Sequence, residues 1–512
     1  MTDSRTKNSI RNYGATMFAQ LLSILLNFIG RTVFIYFLGV EYLGVNGLFS
    51  NILSLLSLAE LGVGTAITYM MYKPIADGDV DKIAGYNLLF KKIYNYIGLF
   101  ILIVGLGLTP FVDSLIKGKP DISENIYLIY ALFVINSSIS YFYTYKRSLL
   151  IAFQKEYINN SNIVQFALVK DVALIAVLFC FRNFYIYLVT QIIVTFLSNI
   201  FISIKVNKLF PHIVKLKNKK IPSSEIKIII KNTAAMVCHK IGSAAISGTG
   251  NIFISYFVGL ATVGIYSNYI LISQCAIQIV GKGITSLTAS FGNLVASDTH
   301  ERVFQVFKKI YFINFVLSLT IGVLYFSLIQ PFITIWIGKE YLLGSSSILI
   351  IVINTLFFNQ IRVPAQIVIN TYGLFWQIKW KSLVEAAINL GLSFLLIAHF
   401  NLGINGVLLS ALISNICTNL WWEPYVATKL GMKVKFWPYM RVFLANTILF
   451  LCTIFIIGLI DDYIDINIHS IIANICLRIF LSILLITGIV LIFYRNTTEF
   501  KYILSLLHIR KS

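Results

Sequence analysis

Long apolar stretches separated by short polar segments make up nearly the whole chain. A transmembrane helix needs roughly 20 predominantly apolar residues, and fourteen stretches come near that length or exceed it. Hydrophobic residues form 58% of the 512 and charged residues only 12%, against about 25% charged in soluble domains. The predicted fold class is therefore all-α, a polytopic membrane protein of about 14 helices. The predicted spans are 13–38, 44–72, 93–111, 126–145, 158–181, 184–204, 233–258, 264–294, 310–337, 348–371, 382–398, 403–422, 442–460 and 470–494.

The chain also carries two copies of one pattern. The string FKKIY occurs at Phe90–Tyr94 and again at Phe307–Tyr311, each time just before a long apolar run. At an offset of about 220 residues, polar and glycine identities fall in a fixed order, which indicates an internal repeat. The matched pairs include Asn12/Asn232, Ala15/Ala235, Ser23/Ser243, Gly30/Gly250, Tyr36/Tyr256, Gly39/Gly259 and Gly44/Gly264.

Each repeat holds six predicted spans, an even number, so both copies have the same orientation in the membrane. Parallel repeats of this kind are a known design of transporters, with the substrate path between the halves. We predict an N-terminal lobe at 1–204, a basic cytoplasmic linker at 205–232 and a C-terminal lobe at 233–422. Two further helices and a basic tail follow at 423–512.

The net charge of +20 is distributed unevenly along the chain. Most of the 41 Lys and Arg residues lie in loops on the side of the two termini, whereas the opposite loops hold Lys117, Lys119, Arg182 and Lys339. This bias predicts a multi-pass protein of the cell (cytoplasmic) membrane with both termini in the cytoplasm. Topology accounts for the basic excess, so we predict no nucleic-acid partner, and we expect the linker to lie against anionic lipid.

Polar and charged residues recur inside the predicted spans. In the first span, Gln20, Ser23, Asn27 and Arg31 follow at spacings of three and four residues, which places them on one helical face. Their repeat partners in the seventh span are Lys240, Ser243, Ser247 and Asn251, and the eighth span adds Gln274, Gln278 and Lys282. The other intramembrane charges are Glu60, Lys170, Asp171, Arg362, Glu385 and Arg478, the last of which we expect to be alone and peripheral.

The free-energy cost of placing a charge inside the membrane limits how these residues can be accommodated. A charged residue at the centre of a spanning helix costs about 2.5–3.5 kcal/mol, so most of these groups must face each other or a wet cavity. Basic residues outnumber acidic ones, which favours a cationic cavity that binds an anion. We predict that Arg31, Lys240, Lys282, Arg362 and Lys170 line this substrate pathway. For each residue the alternative is a neutralising structural pair.

The three acidic residues, Glu60, Asp171 and Glu385, are candidates for coupling to an H⁺ or Na⁺ gradient, and helix-pinning hydrogen bonds are the alternative role. No phosphate-binding G-x-x-x-x-G-K-[ST] loop and no Cys/His spacing typical of a metal site occur in the sequence. We therefore predict no cofactor, no metal, no catalytic residue and no enzymatic activity. A membrane glycan polymerase or ligase would need a sizeable outer domain, whereas the predicted outer loops are short.

Three stretches resemble one known family. These are "YLGVNGLFSNILSLLSLAELGVGTAITYMMYKPIA" (Tyr42–Ala76), "RSLLIAFQKEYINN" (Arg147–Asn160) and "LWWEPYVATKLGMK" (Leu420–Lys433). They are similar to Wzx-type flippases of polysaccharide repeat units, within the multidrug/oligosaccharidyl-lipid/polysaccharide (MOP) exporter superfamily. The resemblance covers the chain from Asn12 to about Gly431. It implies twelve core helices in two lobes, usually two more, and a cationic cavity between the lobes.

The resemblance also implies a function. Such a protein transfers an undecaprenyl-pyrophosphate-linked oligosaccharide from the cytoplasmic to the outer leaflet by alternating access and cation antiport, for surface polysaccharide biosynthesis. The expected partners are this polyprenyl-pyrophosphate-linked oligosaccharide and membrane lipid, with other polysaccharide-assembly membrane proteins as further candidates. The alternatives are a cation-coupled drug exporter of the same superfamily, whose cavity should be dominated by acids, a glycan polymerase or ligase, and a non-transporting scaffold.

Overall fold

The structure is a computed structural model that describes residues 22–60, 63–118, 120–153, 155–216, 221–222, 248–285, 291–292, 294–295, 298–374, 376–468 and 470–509. Within these ranges the regular secondary structure is entirely helical, which confirms the all-α fold class. The chain forms two compact units, Met1–Gly264 (unit 1) and Ile265–Ser512 (unit 2).

Unit 1 consists of helices that run up and down with short connections. A bend of 120° separates α1 from α2 at Gly39, whose φ of 91° lies in the left-handed region that favours glycine. A 3-10 turn at Ser57–Glu60 interrupts the second predicted span. The helices are α1 (Leu22–Leu38), α2 (Val40–Leu56), α3 (Val63–Asp77), α4 (Val80–Gly107), α5 (Ile126–Ala152), α6 (Glu156–Phe181), α7 (Phe184–Leu209), α8 (Pro211–Val214), α9 (248–257) and the start of α10 (Leu260–Thr285).

Unit 2 is built in the same way and ends with two extra spanning helices. Its helices are α11 (His300–Trp336), α12 (Ser345–Tyr372), α13 (Lys379–His399), α14 (Ile404–Met432), α15 (Phe436–Asn467), α16 (Ile471–Tyr494) and α17 (Thr498–Ile509). Three of them contain a π-helical turn, at Val352–Phe358, Leu395–His399 and Val426–Met432. Such turns are rare and often occur at functional sites.

Local sequence explains where several helices begin. The side chain of Asn125 accepts hydrogen bonds from two backbone N–H groups in the first turn of α5, and Asn183 caps α7 in the same way. Asp79 and Thr299 cap α4 and α11. Asn, Asp and Thr are preferred at this position because their oxygens satisfy N–H groups that lack a partner inside the helix.

The two FKKIY copies lie in equivalent surroundings. In α4 the rings of Phe90 and Tyr94 are buried in the core of unit 1 and stack with a centroid distance of 4.5 Å. In α11 the rings of Phe307 and Tyr311 are buried in the core of unit 2 and stack at 6.2 Å. In both copies the ring residues fix the helix to its unit, while the lysines between them keep access to solvent.

Two glycines of the repeat pack reciprocally inside unit 1. A methyl group at Gly44 of α2 would lie 2.1 Å from the carbonyl oxygen of Leu260, and one at Gly264 of α10 would lie 2.2 Å from the carbonyl oxygen of Val40. Gly44 and Gly264 are repeat partners, and so are Val40 and Leu260. The two helices therefore cross backbone to backbone at equivalent positions, as small residues allow in membrane helices.

The described helices account for most of the fourteen predicted spans and differ from them at their ends. Eleven helices within the described ranges are long and apolar enough to cross a membrane, and the bent pair α1–α2 adds a twelfth candidate. The predicted span at 233–258 falls mostly outside the described residues. Helix α5 continues to Ala152 rather than residue 145, and α14 continues to Met432 rather than residue 422.

Arg478 of α16 is neither alone nor peripheral, contrary to the sequence expectation. Its side chain is buried, with Nη1 3.3 Å from Asp461 Oδ2 and Nη2 2.6 Å from Asp465 Oδ1. It also donates to the backbone oxygen of Ser327 in α11 at 2.6 Å. Helix α15 runs on to Asn467, so the two aspartates belong to it rather than to a loop. Arg478 therefore joins the two C-terminal helices to the core of unit 2.

Candidate functional site

The predicted pathway lies only partly within the residues that the structure describes. Gln20, Lys240, Ser243 and Ser247 lie outside the described residues, as does the side chain of Lys282. The amide of Asn251 in α9 faces α2 beside Gly47. Gln274 and Gln278 are exposed on α10.

Arg31 lies in a small polar group formed by three helices of unit 1. The ring of Tyr187 in α7 packs against Phe34, one turn after Arg31 in α1, with a centroid distance of 5.2 Å. Tyr187 interacts electrostatically with Arg31 and with Asp171 of α6. Lys170 interacts with Asp171 in turn. One predicted pathway cation, Arg31, and one predicted coupling carboxylate, Asp171, therefore lie near the same tyrosine. On the same face of α1, the Asn27 side chain donates to the backbone oxygen of Ser23 at 2.8 Å.

Glu60 occupies the 3-10 turn that interrupts the second predicted span. Its Oε1 accepts a hydrogen bond from the Tyr94 hydroxyl at 2.8 Å, and a second tyrosine, Tyr141 of α5, interacts electrostatically with this carboxylate. Tyr94 is the last residue of the first FKKIY copy. The contact therefore ties a candidate coupling carboxylate to α4, which is the geometry expected of a helix-pinning hydrogen bond.

Arg362 and Glu385 lie in a buried group of charges in unit 2, which we call the Glu423 cluster (Arg362, Lys381, Glu385 and Glu423). Arg362 Nε donates to Glu423 Oε2 at 2.8 Å and Nη2 donates to Oε1 at 2.7 Å. Lys381 Nζ donates to the same Oε1 at 2.6 Å and lies 3.8 Å from Glu385 Oε2. Two cations and two carboxylates leave the cluster neutral, which matches the alternative of structural pairs.

Amide side chains complete the Glu423 cluster. Arg362 Nη1 donates to Asn415 Oδ1 at 3.3 Å, and the Asn415 amide nitrogen donates to Asn354 Oδ1 at 2.8 Å. The Asn419 amide donates to Glu385 Oε1 at 2.5 Å. Asn354 lies in one π-helical turn, and another begins three residues after Glu423. The two irregular turns thus flank the charged group.

Unit 1 holds a second polar group, mostly buried, which the sequence did not predict. We call it the Lys146 cluster (Lys146, Arg147, Asn159, Asn162, Ser198, Asn199, Ser203 and Asn207), in which α5 supplies the cations and α6 and α7 the acceptors. Lys146 Nζ donates to Ser203 Oγ at 2.6 Å and to Asn207 Oδ1 at 2.8 Å. Arg147 donates to Asn159 Oδ1 at 2.7 Å, to Asn199 Oδ1 at 3.1 Å and to Ser198 Oγ at 3.4 Å. Among the described residues, every acceptor of these two cations is a neutral oxygen.

Each cluster contains a stripe of three polar residues on the last helix of its repeat. The stripe consists of Asn199, Ser203 and Asn207 in α7 and of Asn415, Asn419 and Glu423 in α14, in each case four residues apart. The tripeptide Ser-Asn-Ile begins both stripes, at 198–200 and 414–416. This repeated string was the available sequence signal for both clusters.

Solved structures of transport proteins have the same fold. The lipid II flippase MurJ in an inward closed conformation aligns over 94% of this chain and 98% of its own, with a TM-score of 0.66 and 15% identity. An inward-facing multidrug resistance MATE family transporter of the MOP superfamily aligns over 82% and 94%, with a TM-score of 0.61 and 16% identity. The chain shares the fold of these two transport proteins.

A third solved structure is of interest for the polarity of its binding pocket. This MOP superfamily transporter from Pyrococcus furiosus aligns over 83% of this chain and 93% of its own, with a TM-score of 0.52 and 16% identity. It is described as having a binding pocket of reverse polarity, which suggests a different function for that protein. All three are transport proteins rather than enzymes. No protein-family model matches the chain, and neither does any curated protein.

Proposed function

We propose that the protein is a flippase that moves a polyprenyl-pyrophosphate-linked oligosaccharide, the undecaprenyl form in the first instance, from the cytoplasmic to the outer leaflet by alternating access. Surface polysaccharide biosynthesis is the proposed pathway. The MOP fold is shared by drug exporters and by a lipid flippase, so the fold by itself leaves the substrate open.

The observation that carries the proposal is the extent of the structural match. The lipid II flippase aligns over 94% of this chain, whereas the MATE transporter aligns over 82%. Unit 2 correspondingly contains α15 and α16, which Arg478 joins to its core. A pair of helices beyond the twelve of the repeats therefore favours the lipid-flippase branch of the fold.

The positive charge of the predicted pathway also supports a lipid-linked substrate that carries phosphate. A lipid-linked oligosaccharide carries a pyrophosphate, and Arg side chains bind phosphate oxygens in a bidentate manner. Arg31 and Lys170 lie within spanning helices of unit 1, and the sequence adds Lys240 and Lys282 to the same predicted pathway. In the proposed mechanism these cations bind the pyrophosphate. Arg362, held by Glu423, orients α12 against α14.

In this proposal, a carboxylate couples lipid transport to an H⁺ or Na⁺ gradient. Asp171 is buried and shares Tyr187 as a neighbour with Arg31, so binding of H⁺ or Na⁺ at Asp171 would change the electrostatic field around this part of the proposed pathway. Entry of the cation then resets the transporter after release of the lipid. Glu60 and Glu385 are already engaged with tyrosine, lysine or amide groups, and act as pins between helices.

Depletion of the protein in its native cell tests the proposal. Lipids are extracted after depletion, and the lipid-linked oligosaccharide pool is treated in intact cells with an enzyme that cleaves it only from outside. We expect the oligosaccharide-lipid to accumulate in a form that the enzyme cannot reach, and re-expression to restore access. An unchanged pool, equally accessible in both conditions, would contradict the proposal.

A cation-coupled small-molecule exporter is the second candidate, and the buried Asp171 is the observation that favours it. Such an exporter needs a carboxylate to bind an organic cation, and its activity would not depend on Arg31. Efflux of cationic dyes from proteoliposomes, with lipid flipping measured in the same preparation, separates the two functions. Dye efflux that survives Arg31→Ala would favour the exporter.

A further inference from the structure

We propose that the Lys146 cluster of unit 1 is a binding site for a phosphate or pyrophosphate group on a lipid, and that Glu423 occupies the equivalent anion position in unit 2. The inference rests on the proposed function for the identity of the lipid, and on the geometry of unit 1 for the site itself. Either a polyprenyl pyrophosphate or an anionic phospholipid presents this chemistry.

The comparison of the two units provides the first step. Each unit places two basic side chains against a stripe of three polar residues, spaced four apart on the last helix of the repeat. The third member of the stripe is Glu423 in unit 2 and Asn207 in unit 1. Glu423 accepts hydrogen bonds from both cations of its cluster, at 2.6 to 2.8 Å. Unit 1 has the cations and the acceptor stripe but a neutral amide where unit 2 carries its anion.

Charge balance provides the second step. Lys146 is 8% exposed and makes its hydrogen bonds with a hydroxyl and an amide oxygen. Lys91 of α4 adds a third positive charge, because Lys91 Nζ and Lys146 Nζ each lie 5.8 Å from the ring centroid of Tyr145. Buried cations without a counter-ion are costly, whereas a bound anion makes the same arrangement favourable. In the described part of unit 1, these cations lack the carboxylate that unit 2 supplies.

Hydrogen-bonding capacity provides the third step. A lysine ammonium has three N–H groups and an arginine guanidinium five, so Lys146 retains one unused donor and Arg147 two or more. The Asn162 side chain is 5% exposed, and its Nδ2 has no acceptor among the described residues. Its Oδ1 accepts from Ser198, which also bonds to Arg147. The cluster thus has more donors than acceptors, as an anion site requires.

The depth of the cluster suits a lipid head group. Lys146 lies six residues before the end of α5 at Ala152, about 9 Å along a helix with a rise of 1.5 Å per residue. Asn207 is exposed two residues before the end of α7. A phosphate between them would sit at the membrane interface, with its lipid chain directed along α5 and α7.

Asn207→Glu tests the inference, because it gives unit 1 the internal anion that unit 2 already has. Asn207→Gln is the matched control, which keeps size and polarity without charge. The full chain is purified in a neutral detergent, and binding of undecaprenyl pyrophosphate, inorganic pyrophosphate and phosphatidylglycerol is measured by native mass spectrometry. We expect Asn207→Glu to weaken binding of the preferred phosphate compound at least tenfold, and Asn207→Gln to stay within about twofold of wild type.

The three compounds identify the source of the phosphate. Preference for undecaprenyl pyrophosphate supports a substrate site, and equal binding of phosphatidylglycerol supports a phospholipid site. Wild-type binding by the folded Asn207→Glu protein would overturn the inference. If this variant does not accumulate, Arg147→Gln takes its place with the same expectation. Absence of binding in wild type, with flipping intact, would remove the site and leave the proposed function standing. Binding in wild type, without accumulation of the oligosaccharide-lipid after depletion, would keep the site and contradict the proposed function.

Discussion

Arg362 of α12 and Glu423 of α14 form a two-point ion pair, with Nε to Oε2 at 2.8 Å and Nη2 to Oε1 at 2.7 Å. Lys381 of α13 donates to the same carboxylate at 2.6 Å. One buried carboxylate therefore joins three helices of unit 2 and contacts both cations of the Glu423 cluster.

Glu423→Gln is expected to destabilise the protein by about 3–5 kcal/mol, because it leaves two buried cations with a neutral partner. Unfolding in detergent, followed by circular dichroism, measures the loss. Glu385→Gln is the control, because Glu385 lies 3.8 Å from Lys381 and so interacts with this cation more weakly than Glu423 does at 2.6 Å. Equal losses in the two variants would mean that Glu423 is not the principal counter-ion.

Gly44→Ala and Gly264→Ala are each expected to reduce stability by about 1–3 kcal/mol or more, because the added methyl would meet a carbonyl oxygen at 2.1 or 2.2 Å. The yield of monodisperse protein and its unfolding temperature measure the effect. Gly107→Ala in α4 serves as the control, because nothing lies within 4 Å of that position. A stable Gly44→Ala protein would show that the helices can separate at this crossing.

Asp461→Asn is expected to cost about 1–3 kcal/mol, since Asp461 accepts a hydrogen bond from Ser327 at 2.8 Å and pairs with Arg478. Its neighbour Asp462 is exposed, so Asp462→Asn should stay within about 0.5 kcal/mol of wild type. Limited proteolysis of the connection between α15 and α16 gives a local readout. Cleavage should increase in Asp461→Asn and remain unchanged in Asp462→Asn.

Arg31→Ala and Lys240→Ala are expected to abolish lipid transport while the protein still inserts in the membrane. The reason is the proposed loss of a phosphate-binding cation. Transport is measured by complementation of the depleted cell, with membrane levels of each variant determined in parallel. Lys208→Ala removes an exposed cation from the end of α7 and should transport normally. Normal transport by both test variants would exclude these residues from the substrate site.

Most of the fold was predictable because apolar length is a strong signal for a membrane helix. The polar clusters were not, because a cation in the last turns of a helix resembles a loop cation in sequence. The predicted span ended at residue 145, so Lys146 and Arg147 were assigned to a loop, and Glu423 was missed by one residue in the same way. Arg478 was expected to be isolated because its partners, Asp461 and Asp465, were assigned to an outer loop.

The crossing at Gly44 and Gly264 has a consequence for biogenesis. The surface of α2 at Gly44 is covered by residues more than 200 positions later in the chain. This surface therefore stays uncovered in the bilayer until the ribosome has made the intervening helices. Ser255 of α9 closes a second such contact, with its hydroxyl on the Leu115 oxygen at 2.9 Å. Unit 1 can therefore mature only after α9 and the start of α10 have inserted. A nascent chain that ends at the basic linker would have an incompletely packed unit 1, and membrane chaperones and proteases could bind it.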